Sequence, residues 1–264
     1  MAHRVELPRR WRILRDPPGA AAHNMAIDEA LARTRRADEG VLRIYRWRRP
    51  TLSFGRNQPA LDRYDPHALD AFGVEAVRRP TGGREVLHDR ELTYAVILPL
   101  RTADGVRGSY RRINAALVHA LRTLGVAARA ADESHPVLPP NAGACFGDPA
   151  PGEVIVGEGK VIGSAQRRIG EHLLQHGSLL LSPPTVGLAA LRIAPPDPFE
   201  GQGCSLAELG VGPFGFDRVA AAVEAALAGS YGGAWERGRL REEEGEVAEH
   251  LRRQYESPGW TWRR

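Results

Sequence analysis

Two residues in the middle of the chain have the chemical types that a nucleophilic site requires. Cys145 lies in a loop of glycines and prolines, and Lys160 follows fifteen positions later, after a strand-like run and a turn. An ammonium group beside a thiol lowers the thiol pKa from about 8.5 toward neutrality, which makes more thiolate available for attack. The spacing alone leaves two alternatives open, a small buried cysteine and a solvated hairpin lysine.

A second group surrounds the turn Pro80–Gly83, which follows the strand-like run VEAV and opens into LTYAVILPL. Adjacent glycines allow positive φ and leave backbone N–H groups free to hold an oxyanion or a phosphate. Arg78, Arg79 and Arg84 add positive charge around this turn. A hairpin turn needs the same glycines for purely conformational reasons, so that alternative also stays open.

Histidines contribute a third group. His176 interrupts the apolar run LLQHGSLLL, and buried polar groups need partners, so this segment is either a hydrogen-bonded structural kink or part of a site wall. His88 supplies an imidazole, a group that suits either proton transfer or an orienting role.

Strands in the middle of the chain, with helices on either side, must position these groups. Helical patterns begin near Asn24, the expected N-cap, continue at Tyr110–Gly125, and return near the end of the chain, where Asp217 is a possible cap. The strand-like runs are VLRIYRW, TLSFG, VEAVRRP, LTYAVILPL, EVIVGEG, KVIGSAQ and LLQHGSLLLS. Because the strands come in runs, the sequence predicts an α+β fold with a mixed, largely antiparallel sheet flanked by helices.

The composition excludes some classes of protein. A chain of 264 residues with 42% hydrophobic residues can bury the core of one large domain. No signal-peptide core and no run of about 18 apolar residues occurs, so we expect a cytoplasmic protein without a membrane partner. Cys145 and Cys204 match no metal-ligand spacing, so we expect neither a metal site nor a disulfide framework.

The charge balance is mildly basic. The chain has 36 Lys and Arg against 32 Asp and Glu, a formal charge of +4, which favours acidic partners. Binding of nucleic acid usually also involves aromatic side chains clustered on a basic face, and the sequence has no such cluster. We therefore expect no nucleic-acid partner.

Taken in order, five segments resemble those of the lipoate/octanoate attachment family, and the match spans about residues 11 to 210. They are NMAIDEAL, RRPTGGREVLHDRELTY, ACF, GKVIGSAQRR and LLQHGSLLL. That family includes lipoate–protein ligases and octanoyltransferases, and it shares the catalytic fold of biotin–protein ligases. Arg84 after the glycine pair and the CF dipeptide most resemble the cysteine-dependent octanoyl-[acyl carrier protein]:protein octanoyltransferases. Glu85 departs from the small residue usual there, which affects the expected mouth of the acyl pocket.

The resemblance implies an acyltransferase of lipoate biosynthesis, with Cys145 as nucleophile and Lys160 as its electrostatic partner. Octanoyl would pass from acyl carrier protein, through a Cys145 thioester, to a lysine of a lipoyl domain such as glycine-cleavage H protein or 2-oxoacid dehydrogenase E2. No cofactor is implied, and ATP and Mg²⁺ would be needed only by a ligase. We expect a monomer with a catalytic domain at 1–215 and a C-terminal helical segment at 216–264 packed on it.

The same resemblance implies a set of substrate-binding residues. They are Arg79, Thr81, Gly82, Gly83, Arg84, His88, Gly163, Ser164, Ala165 and His176. Backbone N–H groups near Gly82, Gly83 and Gly163 would complete an oxyanion site. We expect Val86, Leu87 and Tyr94 to line the slot for the octanoyl chain.

Other functions remain possible at this point. An ATP-dependent lipoate–protein ligase would leave Cys145 idle, and no full accessory domain is visible after Leu181. An amidotransferase that moves octanoyl between two lipoyl domains would also use a cysteine. A non-catalytic module that binds acyl groups or lipoyl domains would not need the Cys145 and Lys160 pair. We expect Cys204 to be a packing residue.

Overall fold

The computed structural model describes residues 7–34, 36, 38–100, 105–132, 151–193 and 203–263. In chain order, the elements are β1 (Arg10–Arg15), α1 (Ala21–Thr34), β2 (Glu39–Tyr45), β3 (Thr51–Phe54), α2 (Pro66–Ala71), β4 (Glu75–Arg78), β5 (Val86–His88), β6 (Glu91–Pro99), α3 (Gly105–Thr123), β7 (Ala128–Ala130), β8 (Val154–Val156), β9 (Gly159–Ile169), β10 (His172–Leu180), a 3-10 turn (Leu188–Leu191), α4 (Phe216–Tyr231), β11 (Ala234–Arg237), α5 (Glu242–Glu256) and α6 (Pro258–Thr261).

Eight of these strands form one large sheet in the order β11-β1-β2-β6-β10-β9-β8-β7. Strands β11, β1 and β2 run parallel, and from β2 to β7 each neighbouring pair is antiparallel. A second sheet has the order β4-β3-β5. The predicted α+β fold with a mixed, largely antiparallel sheet is confirmed.

The central strands of the large sheet are buried on both faces. Successive side chains of a strand point to opposite sides, and helices cover each side. In β2, Leu42 and Ile44 pack with α3 and α4, whereas Val41 and Tyr45 pack with α1 and α5. All nine residues of β6 are buried, which explains why its sequence is a nearly continuous apolar run. The helices therefore cover both faces of the strands that carry the predicted site.

Two predicted helix caps are wrong. Asn24 lies inside α1, where its side-chain amide donates to the backbone carbonyls of Gly19 and Arg46. A polar residue near the start of a helical pattern predicts a cap, but the amide of Asn24 bonds carbonyls outside the helix instead. Asp217 lies in the first turn of α4, after Gly215 at the N-cap, and its side chain pairs with Arg15.

The turn from β4 to β5 is not a hairpin. Both strands flank β3, β4 in parallel and β5 antiparallel, so the segment Arg79–Glu85 passes across the end of β3. Gly83 has a φ of 90°, which favours glycine. Gly55, which follows β3, lies so close to this turn that a Cβ built on it would be 1.8 Å from the Gly83 carbonyl oxygen.

The residues after 215 contribute to the same layers. Strand β11 extends the large sheet beside β1, α4 packs against α3, and α5 packs against α1. Arg78 in β4 also donates from its buried guanidinium to the carbonyl of Thr261 at 3.0 Å. The domain boundary expected at residue 215 stays a prediction. None of the helices in the described ranges has both the length and the apolar character needed to cross a bilayer.

The contact between Gly55 and the turn gives a prediction for stability. We expect Gly55→Ala to lower the free energy of unfolding by about 3 kcal/mol, because the added methyl group must displace the backbone at Gly83. Gly229→Ala is the matched control, since Gly229 is exposed in α4 with open space around its Cα. This variant should raise the stability by about 0.5 to 1 kcal/mol. Urea denaturation of both variants measures the difference, and equal stabilities would contradict the close approach.

Candidate functional site

A narrow cavity lies between the large sheet, α1 and the small sheet, and with its mouth it holds about 380 Å³ of empty space. Its lining comes from six strands, α1, and the segments after β2 and β4. The lining residues are Met25, Tyr45, Trp47, Ser53, Arg79, Val86, His88, Thr93, Gly163, Ser164, Ala165, His176, Gly177 and Ser178.

Six of the predicted substrate-binding residues line this cavity, and they come from four separate segments of the chain. They are Arg79, His88, Gly163, Ser164, Ala165 and His176. The other four predicted residues, Thr81, Gly82, Gly83 and Arg84, lie in the turn beside it. Of the side chains expected in the acyl slot, Val86 lines the cavity, whereas Leu87 packs in the core of the small sheet.

Arg79 holds the shape of the turn. Its guanidinium donates to the carbonyls of Gly82 and Arg84, both at 2.7 Å, and to the carbonyl of Ser53 at 3.0 Å. A planar group with five donors suits this arrangement, because it can bond several carbonyls at once. The part of the cavity wall that Arg79 forms is therefore held in place by hydrogen bonds to backbone carbonyls.

His176 connects the turn to a fully buried carboxylate. Its Nδ1 lies 2.9 Å from Oδ2 of Asp28, and its Nε2 lies 2.6 Å from Oγ1 of Thr81. Asp28 also accepts from Arg43 at 2.7 Å and from the Tyr45 hydroxyl at 2.8 Å. These contacts join α1, β2, β10 and the turn in one network.

The protonation states in this network follow from burial and charge. Burial alone would raise the pKa of Asp28, but the charge of Arg43 and the bond with His176 hold it below its ordinary value. Burial lowers the pKa of His176 in spite of Asp28. The imidazole is thus neutral, with Nδ1–H donating to the Asp28 carboxylate and Nε2 accepting from the Thr81 hydroxyl.

His88 has a second arrangement of the same kind. Its Nδ1 lies 2.7 Å from Oε1 of Glu91, and its Nε2 lies 2.7 Å from Oγ of Ser53. The ring stacks on Trp47 at 4.2 Å between centroids. Burial would raise the pKa of Glu91, but His88 and the hydroxyls of Thr93 and Ser178 hold it below its ordinary value.

These two networks contain residues that sequence reasoning missed. Asp28, Glu91, Ser53 and Trp47 were not proposed for the site, although Asp28 lies in the quoted segment NMAIDEAL and Glu91 follows His88 by three positions. A charged residue on the buried face of a helical pattern was the available signal for Asp28, because buried carboxylates need charged or hydrogen-bonding partners.

Strands β9 and β10 approach closely at the cavity. A Cβ on Gly177 would lie 2.4 Å from the carbonyl oxygen of Gly163, so only glycine fits there. Ser164 bonds through its hydroxyl to Tyr94 at 2.7 Å. Tyr94, expected to line the acyl slot, belongs instead to the core beneath α3, and burial raises its pKa to about 12.

Lys160 is buried on β9 and does not line the cavity. Its Nζ lies 2.7 Å from Oε2 of Glu153, which is also buried. Along the strand, Lys160 lies about 10 Å from Gly163 at the usual rise per residue. Cys145 falls outside the described residues, so the juxtaposition of Cys145 and Lys160 stays a prediction.

Glu85 and Cys204 both make structural contacts. Glu85 accepts from the Tyr64 hydroxyl at 2.8 Å and from Arg192 at 2.6 Å, so it anchors the segment after β10 to the small sheet. The effect of Glu85 on the mouth of the acyl pocket stays a prediction. Cys204 packs against Gly159, and burial raises the pKa of its thiol.

Known proteins resemble this chain over most of its length. Residues 20–228 match the family model described as the lipoyl protein ligase A/B catalytic domain. Octanoyltransferase LipM of Kyrpidia tusciae is 41% identical, with 96% of this chain and 99% of that protein covered. Octanoyltransferase LipM of Exiguobacterium sp. is 33% identical, with 96% and 98% covered.

Solved structures share the fold. A lipoate-protein ligase A bound with ATP is 25% identical with a TM-score of 0.80, over 96% of this chain and 98% of that chain. The putative lipoate protein ligase Ta0514 from T. acidophilum, with bound lipoic acid, has a TM-score of 0.80 at 24% identity, over 96% and 99%, and shows the fold alone. The ligase-like scaffold expected from the sequence is thus confirmed, and the chain belongs to the lipoyl protein ligase A/B catalytic domain family.

Proposed function

We propose that this chain moves an octanoyl group from the thioester of an acyl carrier protein to the lysine amine of a lipoyl domain. The observation that carries the proposal is the 41% identity with an octanoyltransferase over nearly the whole of both chains. It makes the chain an acyltransferase of lipoate biosynthesis. Glycine-cleavage H protein and the E2 subunit of a 2-oxoacid dehydrogenase are the acceptors that we propose.

The cavity suits an acyl chain. Met25, Tyr45, Trp47 and Val86 supply apolar surface next to the backbone of β9. Burial of an alkyl chain contributes about 0.8 kcal/mol for each CH₂ removed from water. The octanoyl tail would lie along these side chains, with its carbonyl carbon at the mouth.

Cys145 would attack the carbonyl carbon of the thioester. A new C–S bond forms, the carrier thiolate leaves, and an octanoyl-enzyme results. The neutral amine of the acceptor lysine then attacks the same carbon, an amide forms, and the thiol of Cys145 is regenerated. Because a thioester is exchanged for a thioester, the first step consumes no ATP.

Lys160 would stabilise the negative charge that develops on the thioester oxygen. In the structure its ammonium group is held by Glu153, which keeps a buried cation in one position. Backbone N–H groups near Gly82, Gly83 and Gly163 would donate hydrogen bonds to that oxygen, whereas Lys160 would act through its charge from outside the cavity.

The histidines act as positioning residues in this proposal. Both ring nitrogens of His88 and of His176 already have hydrogen-bonding partners. Neither ring has a nitrogen left to take a proton from substrate without breaking a buried contact. Their contribution is to fix Thr81 and Ser53, and with them the turn and the cavity wall.

An ATP-dependent ligase is not favoured, because the curated octanoyltransferases are 41% and 33% identical over nearly the full length of this chain, whereas the two ligase structures named above are 25% and 24% identical. Transfer between two lipoyl domains would pass through the same acyl-enzyme, and no contact in the structure favours it. The acyl donor and the need for ATP distinguish these reactions.

The Cys145 relay predicts a covalent intermediate. Incubation with octanoyl-carrier protein without ATP should add one octanoyl group to the chain, and hydroxylamine should remove it. Intact mass spectrometry measures the adduct, and the Cys145→Ser variant should not form it. An octanoyl lipoyl domain used in place of the carrier tests the amidotransferase. Modification of a lipoyl domain by Cys145→Ser with octanoate and ATP would overturn the proposal in favour of a ligase.

The effect of Lys160 on the reaction rate can be separated from the effect of its ion pair with Glu153 on stability. We expect Lys160→Met to slow acyl-enzyme formation by about 10²- to 10³-fold, because a charge that stabilises the oxyanion is removed. Stability should also fall by about 3 to 5 kcal/mol, because Glu153 stays buried and loses this partner. Adding Glu153→Gln should restore most of the stability and none of the rate. Recovery of both would show that Lys160 acts only through the buried pair.

The buried His176 predicts a dependence of stability on pH. Its pKa is lowered in the folded chain from the ordinary 6.5, so below that value the unfolded chain binds more protons. The stability present above pH 6.5 should therefore decrease as the pH falls. Denaturation curves between about pH 7.5 and 5.5 should be less pH-dependent for His176→Gln than for the unsubstituted chain. The exposed His67→Gln serves as the control, and parallel curves for His176→Gln and the unsubstituted chain would contradict a neutral buried ring.

A further inference from the structure

Two arginines lie against an aromatic ring next to the turn that borders the cavity, and a third arginine lies close to one of them. The guanidinium carbon of Arg263 lies 3.9 Å from the centre of the Trp260 ring, and that of Arg56 lies 5.7 Å from it. Arg263 also donates to the carbonyl of Arg56 at 2.5 Å. Arg167 on β9 completes this arginine patch, which is defined here as Arg56, Arg167 and Arg263.

The arginine patch is fastened to the turn. The backbone N–H of Arg56 donates to the carbonyl of Thr81 at 2.8 Å, and the guanidinium of Arg167 donates to the carbonyl of Pro80 at 3.2 Å. Thr81 is the same residue that His176 holds inside the cavity. The patch and the cavity therefore contact the same short segment.

Two of the three charges of the patch, those of Arg56 and Arg167, are not neutralised within the described ranges. No carboxylate there forms an ion pair with the side chain of Arg56 or Arg167. Burial lowers the pKa of Arg167, and the like charges of Arg56 and Arg33 lower it further. The charge of Glu29 opposes this lowering of the pKa, but the Glu29 carboxylate is already bonded to Arg33 and Tyr255. Like charges held together in this way favour an anionic partner.

We propose that the arginine patch docks the acceptor lipoyl domain, by contact with acidic side chains that flank its target lysine. This assignment rests on the proposed function. An acceptor lysine carries its amine on a stem of only four carbons, so the surface around it must lie against the cavity mouth when the amine reaches the thioester. A carrier protein presents its thioester on a long prosthetic arm, and its own surface can remain farther away.

The guanidinium groups of the patch are already held in place, which favours a protein surface that carries several carboxylates. The Trp260 ring and the backbone carbonyls restrict the guanidinium groups before any partner arrives, which reduces the entropy lost on binding. Planar guanidinium groups pair with carboxylates through two parallel hydrogen bonds. Charges at the rim of an interface mainly raise the association rate and make it depend on salt.

The test separates the two half-reactions. The variants are Arg56→Gln, Arg167→Gln and the double variant, since glutamine keeps a donor for the Pro80 carbonyl. Arg168→Gln is the matched control, because Arg168 is the next residue on β9, is exposed and pairs with Glu171. Formation of the octanoyl-enzyme from octanoyl-carrier protein and its reaction with the lipoyl domain are each followed by mass spectrometry. Thermal unfolding checks that each variant is folded.

We expect kcat/KM for the lipoyl domain to fall about tenfold in the double variant and to lose much of its dependence on salt. Formation of the octanoyl-enzyme, its cleavage by hydroxylamine, and both half-reactions of Arg168→Gln should stay unchanged. Arg167→Lys should recover part of the loss, because it restores the charge.

Two results would overturn the docking assignment. Transfer to the lipoyl domain at the unsubstituted rate would show that the patch does not contact the acceptor. An equal loss in octanoyl-enzyme formation would show that it serves the carrier protein instead. Failure of the proposed function is distinguishable from both, because the unsubstituted chain would then form no octanoyl-enzyme at all.

Discussion

The buried carboxylate of Asp28 is the centre on which the geometry of the site depends. It is fully enclosed, and it accepts hydrogen bonds from Arg43, Tyr45 and His176 on two different strands. A buried charge is tolerated only where such partners surround it, so the position of α1 over the large sheet is set by this group. Through His176, the same carboxylate also positions Thr81 in the turn between β4 and β5.

A second carboxylate and imidazole pair makes the opposite wall equally rigid. Glu91 holds His88, His88 holds Ser53, and Trp47 covers the ring. Both chains of hydrogen bonds end at hydroxyl groups on the small sheet or its turn, so the two sheets are joined on both sides of the cavity. The polar networks hold the cavity wall in place, and apolar side chains supply much of its surface. Such a cavity suits an enzyme that must align a flexible acyl chain with a reacting carbonyl, because positioning supplies much of the rate enhancement.

Arginine has two different uses around the turn. Arg78 and Arg79 are buried, and their guanidinium groups bond backbone carbonyls of the turn and of the segment after β3. Arg56 and Arg167 are partly exposed, and their side chains form no ion pair with a carboxylate among the described residues. The motif RRPTGGR therefore describes how the turn is built, whereas the charge offered to a partner comes from residues that lie apart from this motif in the chain.

The family resemblance named, as substrate-binding residues, six of the fourteen residues that line the cavity. Local patterns in the chain were enough to identify the α+β class and the strands KVIGSAQ and LLQHGSLLL. These features depend on alternation and on turn residues, which are properties of neighbouring positions. Strands β1 and β11 were missed, because Arg12 and Glu236 interrupt their apolar pattern, and the pairing of Glu85 with Arg192 could not be predicted from neighbouring positions. The pairing of Asp28 with His176, 148 positions apart, required the folded chain. Hydrogen bonds and burial depend on distances between remote segments, and only their packing sets those distances.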